Sequence, residues 1–258
     1  PGVGAPPLAL WCFAALQVHE RGELSWSRLA GASLRALGAT AREWAPLLVM
    51  VHAYPWMAAV IGRPEVDADA ALRALDAKLF GGVEPLLAIQ RLIIPALSEW
   101  LALAYSFFPF MFLVSLSSAL WLRGVPALRE GVTALSLAMA AAFIGYTLVP
   151  AKGPALSMTF EVPLDLYYLQ SVKEQLMDRT RITWDCFPSM HTAGALIMSW
   201  LCHRHARRVF WITLPVILST PVACVYLRYH WVVDVLAGAA LALAVIRLTP
   251  RLVRTRIS

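Results

Sequence analysis

Long apolar stretches divide the sequence into six runs, which cover residues 44–61, 100–122, 125–149, 188–202, 209–226 and 231–248. A helix needs about 20 apolar residues to cross the hydrocarbon core of a bilayer. Trp or Tyr stands near the ends of several runs, where a membrane interface favours aromatic side chains. The pattern therefore predicts an all-α, polytopic membrane protein whose six transmembrane helices form one bundle.

Two longer polar connections, residues 62–99 and 150–187, separate these runs. The first contains apolar residues at helical spacing, namely Leu72, Leu75, Leu79 and Phe80. This spacing predicts an amphipathic helix on the membrane surface. A second apolar stretch in the same connection, residues 83–97, is predicted to be a half-buried helix rather than a seventh span.

No internal repeat or low-complexity linker divides the chain, so we expect one membrane domain with short additions at both ends. The predicted parts are an N-terminal interfacial segment (1–43), the six-helix membrane domain (44–250) and a basic cytoplasmic tail (251–258). The composition supports a membrane protein, since 59% of the residues are hydrophobic and 15% charged. Soluble domains have roughly 45–50% apolar and about 25% charged residues.

The distribution of charge predicts the orientation of the six helices. One side would carry 13 Lys and Arg residues and four acids, and the other side nine basic residues and twelve acids. Cytoplasmic loops are enriched in basic residues, so both termini should be cytoplasmic. The basic net charge then reflects membrane topology, and no nucleic-acid partner is predicted.

Two histidines and an acid lie at the edges of apolar runs on the predicted outer side: His191, His230 and Asp234. Ionisable groups are costly there unless they have a function. His230 and Asp234 are four residues apart and share a helix face, so the acid can orient the imidazole. One histidine could attack the phosphorus of a phosphate ester while the other protonates the leaving oxygen.

Other groups near these histidines could hold a phosphate. Ser189 could cap a helix or donate to a phosphate oxygen, and Lys152 and Arg228 could supply positive charge. The four cysteines show no zinc-binding spacing. Three of them fit as small packing residues in or beside apolar runs, whereas Cys186 stands beside the candidate site.

Two motifs carry a family resemblance. Pro188-Ser189-Met190-His191 resembles the Pro-Ser-Gly-His motif of the type 2 phosphatidic acid phosphatase (PAP2) superfamily, and the stretch from His230 to Asp234 resembles its His-x-x-x-Asp motif. More narrowly, the chain resembles the branch that contains the inositol phosphorylceramide synthases and their bacterial relatives. The resemblance extends over roughly residues 70–238.

The resemblance implies a role for each residue of the two motifs. His230 would be the nucleophile that forms a phosphohistidine, with Asp234 orienting it and His191 protonating the leaving alcohol. Ser189 would contact the phosphate, and neither a metal nor another cofactor would be required. The arginine that many superfamily members have six residues before the motif histidine is replaced by Cys224. The Lys-x₆-Arg-Pro motif is also absent after Lys152, so phosphate binding by Lys152 and Arg228 is inferred from charge alone.

Three functions remain open at this point. With a polyol or lipid hydroxyl as acceptor, the protein would be a lipid phosphotransferase. With water as acceptor, it would be a lipid or isoprenoid phosphate phosphatase. In either case the partner is a membrane lipid that bears a phosphate or phosphodiester. A third hypothesis is a transporter in which the histidines and Asp234 relay protons.

Overall fold

The computed structural model describes residues 26–65, 67–164, 166–169 and 182–254, and these contain helices and no strand. The helices are α1 (Trp26–Ala53), α2 (Met57–Ile61), α3 (Asp69–Leu79), α4 (Pro85–Ala88), α5 (Pro95–Ser106), α6 (Phe108–Arg123), α7 (Val125–Leu148), α8 (Pro154–Ser157), α9 (Met190–His205), α10 (Arg207–Tyr226) and α11 (Val232–Arg254). Short 3₁₀ helices cover Tyr54–Trp56 and Ile89–Leu92. The all-α prediction is confirmed. The predicted segments 1–43 and 251–258 lie partly outside the described residues.

Four stretches are long and apolar enough to cross a membrane, namely Ala41–Ile61, Val125–Leu148, Arg207–Tyr226 and Val232–Val253. They correspond to the first, third, fifth and sixth predicted spans. The fourth predicted span forms α9, whose 16 residues extend about 24 Å. This length is shorter than the roughly 30 Å hydrocarbon core, so the count of six spans stays a prediction.

Two predicted helices are interrupted, and proline is the cause in both cases. The predicted span 100–122 is divided between α5 and α6, with Pro109 in the first turn of α6. The predicted helix 83–97 is divided into short pieces because Ile94 is extended before Pro95, as the residue before a proline prefers. The helical segments Pro85–Leu92 and Pro95–Ser106 meet at an angle of 120°. The prediction of one continuous helix was therefore wrong for both stretches.

Helix α9 is the centre of the bundle and packs against α6, α7, α10 and α11. Its fully buried residues Ile197, Met198 and Leu201 join Leu116 of α6 and Leu135 of α7 in the main apolar core. In a soluble protein, moving a side chain of this size out of water stabilises the fold by about 1.5–3 kcal/mol. Between helices in a membrane, close packing and interhelical hydrogen bonds drive the association instead.

The first turns of α9 and α11 are in direct contact. The Ser189 backbone N–H donates to the Asp234 carbonyl oxygen at 3.1 Å. A Cβ atom at Gly238 would lie 2.3 Å from the Ser189 carbonyl oxygen, so a larger residue cannot occupy this position without a shift of the backbone. The close approach brings the two motif histidines to one end of the bundle.

Helix α3 covers this end and buries Asp69, Leu72 and Asp76. The two carboxylate oxygens of Asp76 accept from the backbone N–H groups of Val232 and Val233, each at 2.8 Å, and so cap the N-terminus of α11. Leu75 and Leu79 are exposed, whereas Leu72, which the sequence analysis grouped with them, is buried. The predicted helix is thus present, but its apolar residues do not share one exposed face.

A second buried carboxylate of α3, Asp69, holds the connection after α7. It accepts from the backbone N–H groups of Lys152 and Gly153 at 2.7 and 2.9 Å, and from the indole N–H of Trp231 at 3.0 Å. Gly153 has a positive φ of 85°, which favours glycine. Helix α3 therefore joins this connection to the start of α11.

At the opposite end of the bundle, ion pairs join the helices. Arg129 of α7 donates to Glu43 of α1 at 2.6 and 2.8 Å. Glu130 of α7 pairs with Arg204 and His205 of α9 at 3.2 and 2.6 Å. The basic side predicted from the charge count and the end that carries His191 and His230 therefore lie at opposite ends of the described helices.

Removal of the Asp76 carboxylate should destabilise the protein. Asp76→Ala leaves two backbone N–H groups of α11 without their partner, and we expect a loss of about 2–4 kcal/mol in the free energy of unfolding. Chemical unfolding in mixed micelles measures this loss. The control is Glu84→Gln, which removes a half-exposed partner of Arg73 and should cost at most about 1 kcal/mol. Equal effects of the two substitutions would contradict the capping role.

Candidate active site

The two motif histidines line one cavity of about 440 Å³. His191 is the second residue of α9, and His230 lies in the turn before α11. Their ring centroids are 5.8 Å apart. A phosphoryl reaction needs a nucleophile and a proton donor for the leaving oxygen, and two rings this close in one cavity can both reach the same bound group.

Cys186, which lies in the loop before α9, orients the His230 ring. His230 Nδ1 lies 2.9 Å from the Cys186 carbonyl oxygen, which can only accept, so Nδ1 carries the proton of the neutral ring. The lone pair is then on Nε2. Asp234 Oδ2 is 3.6 Å from Nδ1, which is too long for a direct hydrogen bond. Asp234 therefore acts on the ring through its charge.

The Asp234 carboxylate is fully buried and is held by two other donors. Its Oδ2 accepts from the backbone N–H of Trp231 at 2.8 Å and from the Cys186 thiol at 2.7 Å. Burial raises the pKa of the Cys186 thiol well above its usual value, so the thiol keeps the proton that it donates. Asp234 Oδ1 has no hydrogen-bond partner within the described part of the chain.

Aromatic rings surround His191. Its ring stacks on Tyr105 of α5 with a centroid distance of 4.3 Å and lies 4.6 Å from the ring of Phe108. The Tyr105 hydroxyl lies 3.3 Å from His191 Nδ1. Tyr105 also stacks on Tyr229, which precedes His230. These contacts restrict the orientation of the His191 ring, and the sequence pattern did not single out either tyrosine.

Ser189 is the N-cap of α9. Its hydroxyl oxygen accepts from the Thr192 backbone N–H at 3.3 Å and from the Thr192 hydroxyl at 3.2 Å. The side chain is fully buried and also contacts the Cys224 thiol at 3.7 Å. The capping interaction suggested by the sequence is present, and a contact with phosphate stays a prediction.

Neither of the two basic residues suggested for the phosphate lines the cavity. Lys152 Nζ pairs with Asp67 at 2.7 Å, and this hydrogen bond raises the pKa of Lys152. The Arg228 guanidinium donates to the Val162 carbonyl oxygen and lies 4.0 Å from the centre of the Phe160 ring. Burial lowers the pKa of Arg228. Both side chains hold loops together, and their role in phosphate binding stays a prediction.

The cavity wall is mostly apolar, and its polar residues include a hydrogen-bonded pair that the sequence analysis did not identify. The Tyr54 hydroxyl, at the end of α1, donates to the Asp185 carboxylate, and both residues line the cavity. In the sequence Tyr54 is one aromatic residue inside the apolar run 44–61, and only its position beside Asp185 distinguishes it. For Asp185, the only local indication in the sequence was its position directly before Cys186, which stands beside the candidate site.

Three side chains could hold a metal by their chemistry. Ligand atoms of Cys186, His230 and Asp234 lie within 4.8 Å of one another, and three protein ligands are typical of a catalytic zinc site. In the described geometry, however, the His230 Nδ1 proton and the Cys186 thiol proton both make hydrogen bonds within the cluster. The sequence-based expectation that no metal is needed stays a prediction.

The contact with the Cys186 carbonyl predicts the tautomer of His230. At a pH where the ring is neutral, we expect the proton on Nδ1 and none on Nε2, which ¹⁵N NMR of histidine-labelled protein can measure. His203, which is exposed near the end of α9, serves as the internal control because it can exchange between both tautomers. A proton on Nε2 of His230 would contradict the proposed orientation.

Comparisons with known proteins give one result for this chain. A family model described as the PAP2 superfamily matches residues 70–248. This range includes both motifs, the cavity residues of α5, α6, α7 and α9, and most of α11. A search of curated proteins and a search of solved structures each gave no match. Because the family model covers most of the sequence, the chain belongs to the PAP2 superfamily.

Proposed function

We propose that the protein is a membrane lipid phosphotransferase that moves a phosphate or a phospho-headgroup through a phosphohistidine. PAP2 superfamily members are generally phosphatases or phosphotransferases. The observation that carries the proposal is the pair of rings in one cavity, where His230 has its Nδ1 proton engaged and its Nε2 lone pair available. The resemblance of the motifs to the inositol phosphorylceramide synthase branch favours transfer.

In the first step, the lone pair of His230 Nε2 attacks phosphorus, and the bond from phosphorus to the leaving oxygen breaks. Protonated His191 gives its proton to that oxygen, so a neutral alcohol leaves. The positive charge that develops on the His230 ring is stabilised by Asp234, which lies 3.6 Å away in a buried environment where charges interact more strongly than in water.

In the second step, the acceptor attacks phosphorus and the P–N bond breaks. His191 is now neutral and takes the proton of the acceptor. A polyol or lipid hydroxyl gives a new phosphate ester of the acceptor, which is a phosphodiester when a phospho-headgroup is moved, whereas water gives a phosphatase reaction. Phosphatase activity is the alternative within the same mechanism. The transporter hypothesis needs only a proton relay, and membership in the PAP2 superfamily favours phosphoryl chemistry instead.

The shape of the cavity supports a lipid substrate. Exposed apolar side chains of α1 and α6 line it, including Leu48, Val51 and Leu113. Met139 and Phe143 of α7 continue this apolar lining towards the interior. In a bilayer, the exposed side chains would face acyl chains, so a lipid could place its headgroup at the histidines while its chains leave between α1 and α6.

We also propose the orientation that the charge count predicted, with six spans, both termini cytoplasmic and the active site on the outer face of the cell membrane. The positions of the ion pairs support it. Glu43 with Arg129, and Glu130 with Arg204, lie at the end of the bundle opposite the histidines. For α9 to cross, its 16 helical residues need the polar flanks on either side.

Substitution of the catalytic pair tests the mechanism. His230→Ala should abolish both phosphate release and transfer, and Asp234→Asn should lower kcat by about 10²- to 10⁴-fold with little change in KM. The assay uses labelled phospholipids and lipid phosphates, with and without polyols, and traps an acid-labile phosphoenzyme. Glu84→Gln is the matched control for an acid-to-amide change outside the cavity. Full activity of His230→Ala would refute the mechanism.

Closing the gap between α1 and α6 tests lipid entry. Leu113→Trp should lower the ratio of kcat/KM for long-chain over short-chain substrates about tenfold, because overpacking of the gap by the larger side chain costs about 1–3 kcal/mol and affects only chains long enough to pass it. Leu218→Trp, on the exposed side of α10 and outside the cavity lining, is the control. An unchanged chain-length preference in Leu113→Trp would contradict entry by this route.

A further inference from the structure

The nucleophile of the proposed mechanism belongs to a buried cluster that also contains a thiol. Ligand atoms of Cys186, His230 and Asp234 lie within 4.8 Å of one another, and all three residues are buried. In the part of the chain that the structure describes, this is the one group of three His, Cys, Asp or Glu side chains with ligand atoms so close together. A hydroxyl group can donate to Asp234 as a thiol does, so phosphoryl transfer by itself does not account for a cysteine here.

The three donor atoms are spaced like ligands of one ion. The Cys186 Sγ atom is 3.6 Å from His230 Nδ1 and 2.7 Å from Asp234 Oδ2, and Nδ1 and Oδ2 are 3.6 Å apart. An ion slightly outside the plane of these atoms can lie about 2.0–2.3 Å from each of them, and these are the distances that Zn²⁺ makes to nitrogen, oxygen and sulfur ligands. The side chains therefore need only small movements to bind such an ion.

The types of donor atom select the kind of ion. Thiolate sulfur and imidazole nitrogen suit zinc, whereas magnesium and calcium prefer oxygen ligands. The Asp234 Oδ1 atom is buried and has no hydrogen-bond partner among the described residues. Burial of a charged oxygen without a partner is unfavourable, and a bound cation relieves that cost. His230 lines the cavity, which gives an ion a route to the cluster.

We propose that Cys186, His230 and Asp234 form an inhibitory binding site for Zn²⁺ or a divalent cation of similar chemistry. Binding forms bonds to the ion from Sγ, from Nδ1 and from a carboxylate oxygen. The thiol releases its proton to water, and the proton on Nδ1 is replaced by one on Nε2, so the imidazole stays neutral. The thiolate and the carboxylate then balance the two positive charges of the ion.

Bound zinc removes the nucleophile. Attack on phosphorus needs a lone pair on His230 Nε2, and a neutral ring that binds an ion through Nδ1 carries its proton on Nε2 instead. The ion also neutralises the Asp234 charge that stabilises the developing imidazolium. The inhibition therefore rests on the proposed phosphohistidine mechanism, whereas binding of the ion does not depend on it.

The zinc sensitivity of the full-length protein and of two cysteine variants tests the inhibition. ZnCl₂ should inhibit phosphate release and transfer by the wild-type protein, and MgCl₂ at the same concentration should not. Cys186→Ser should raise the zinc concentration for half-inhibition at least about tenfold, because even groups that only orient metal ligands contribute about 10- to 100-fold to metal affinity. Cys202→Ser, which changes a buried cysteine outside the cluster, should leave it unchanged. Equal zinc sensitivity of Cys186→Ser and the wild type would overturn the proposal.

Cobalt binding tests the site without an assay of activity. A bond between Co²⁺ and a thiolate gives a charge-transfer absorption band, which the wild type and Cys202→Ser should show with CoCl₂ and Cys186→Ser should not. With ZnCl₂, ¹⁵N NMR should show the His230 proton on Nε2. Absence of the band from the wild type, or a His230 proton that stays on Nδ1, would overturn the site. A band in a wild-type protein that neither hydrolyses nor transfers phosphate would refute the proposed function and support the metal site.

Discussion

Two carboxylates of α3 satisfy backbone N–H groups that the ends of the neighbouring elements leave without partners, and the geometry of the active site depends on them. Asp76 caps α11, which carries Asp234, while Asp69 binds the connection after α7 and the Trp231 indole. Near a bilayer, water is not always available to such groups. Helix α3 thereby fixes the residue at which α11 begins. This in turn fixes the position of His230, which lies in the turn directly before α11.

At the same end of the bundle, the basic side chains that hold loops are different from the groups that line the cavity. Lys152 and Arg228 hold loops through Asp67 and Val162, and the described cavity lining contains histidines, tyrosines and one carboxylate instead. Burial strengthens electrostatic interactions and makes unpaired charge costly.

The sequence predicted those features that depend on residues close together in the chain. Apolar length predicted six spans, and four of them match described helices that are long and apolar enough to cross a membrane. Motif spacing predicted that His191, His230 and Asp234 belong together. Prolines divide two of the predicted helices, and the sequence analysis missed these breaks because it used apolar content alone. The partners of Asp76 are more than 150 residues away, and Tyr54 contacts Asp185 across 131 residues. Such pairings are properties of the packed bundle, and no single stretch of sequence contains them.

Helix α3 buries two acids, Asp69 and Asp76, and leaves Leu75 and Leu79 exposed, and Phe80 directly after its last residue is also exposed. At the membrane-surface position that the sequence predicts, these apolar side chains would enter the bilayer interface and press α3 against the bundle. The membrane would then act on the helix that caps α11. The proposed activity would consequently vary with lipid curvature and packing, even when every substrate contact is the same.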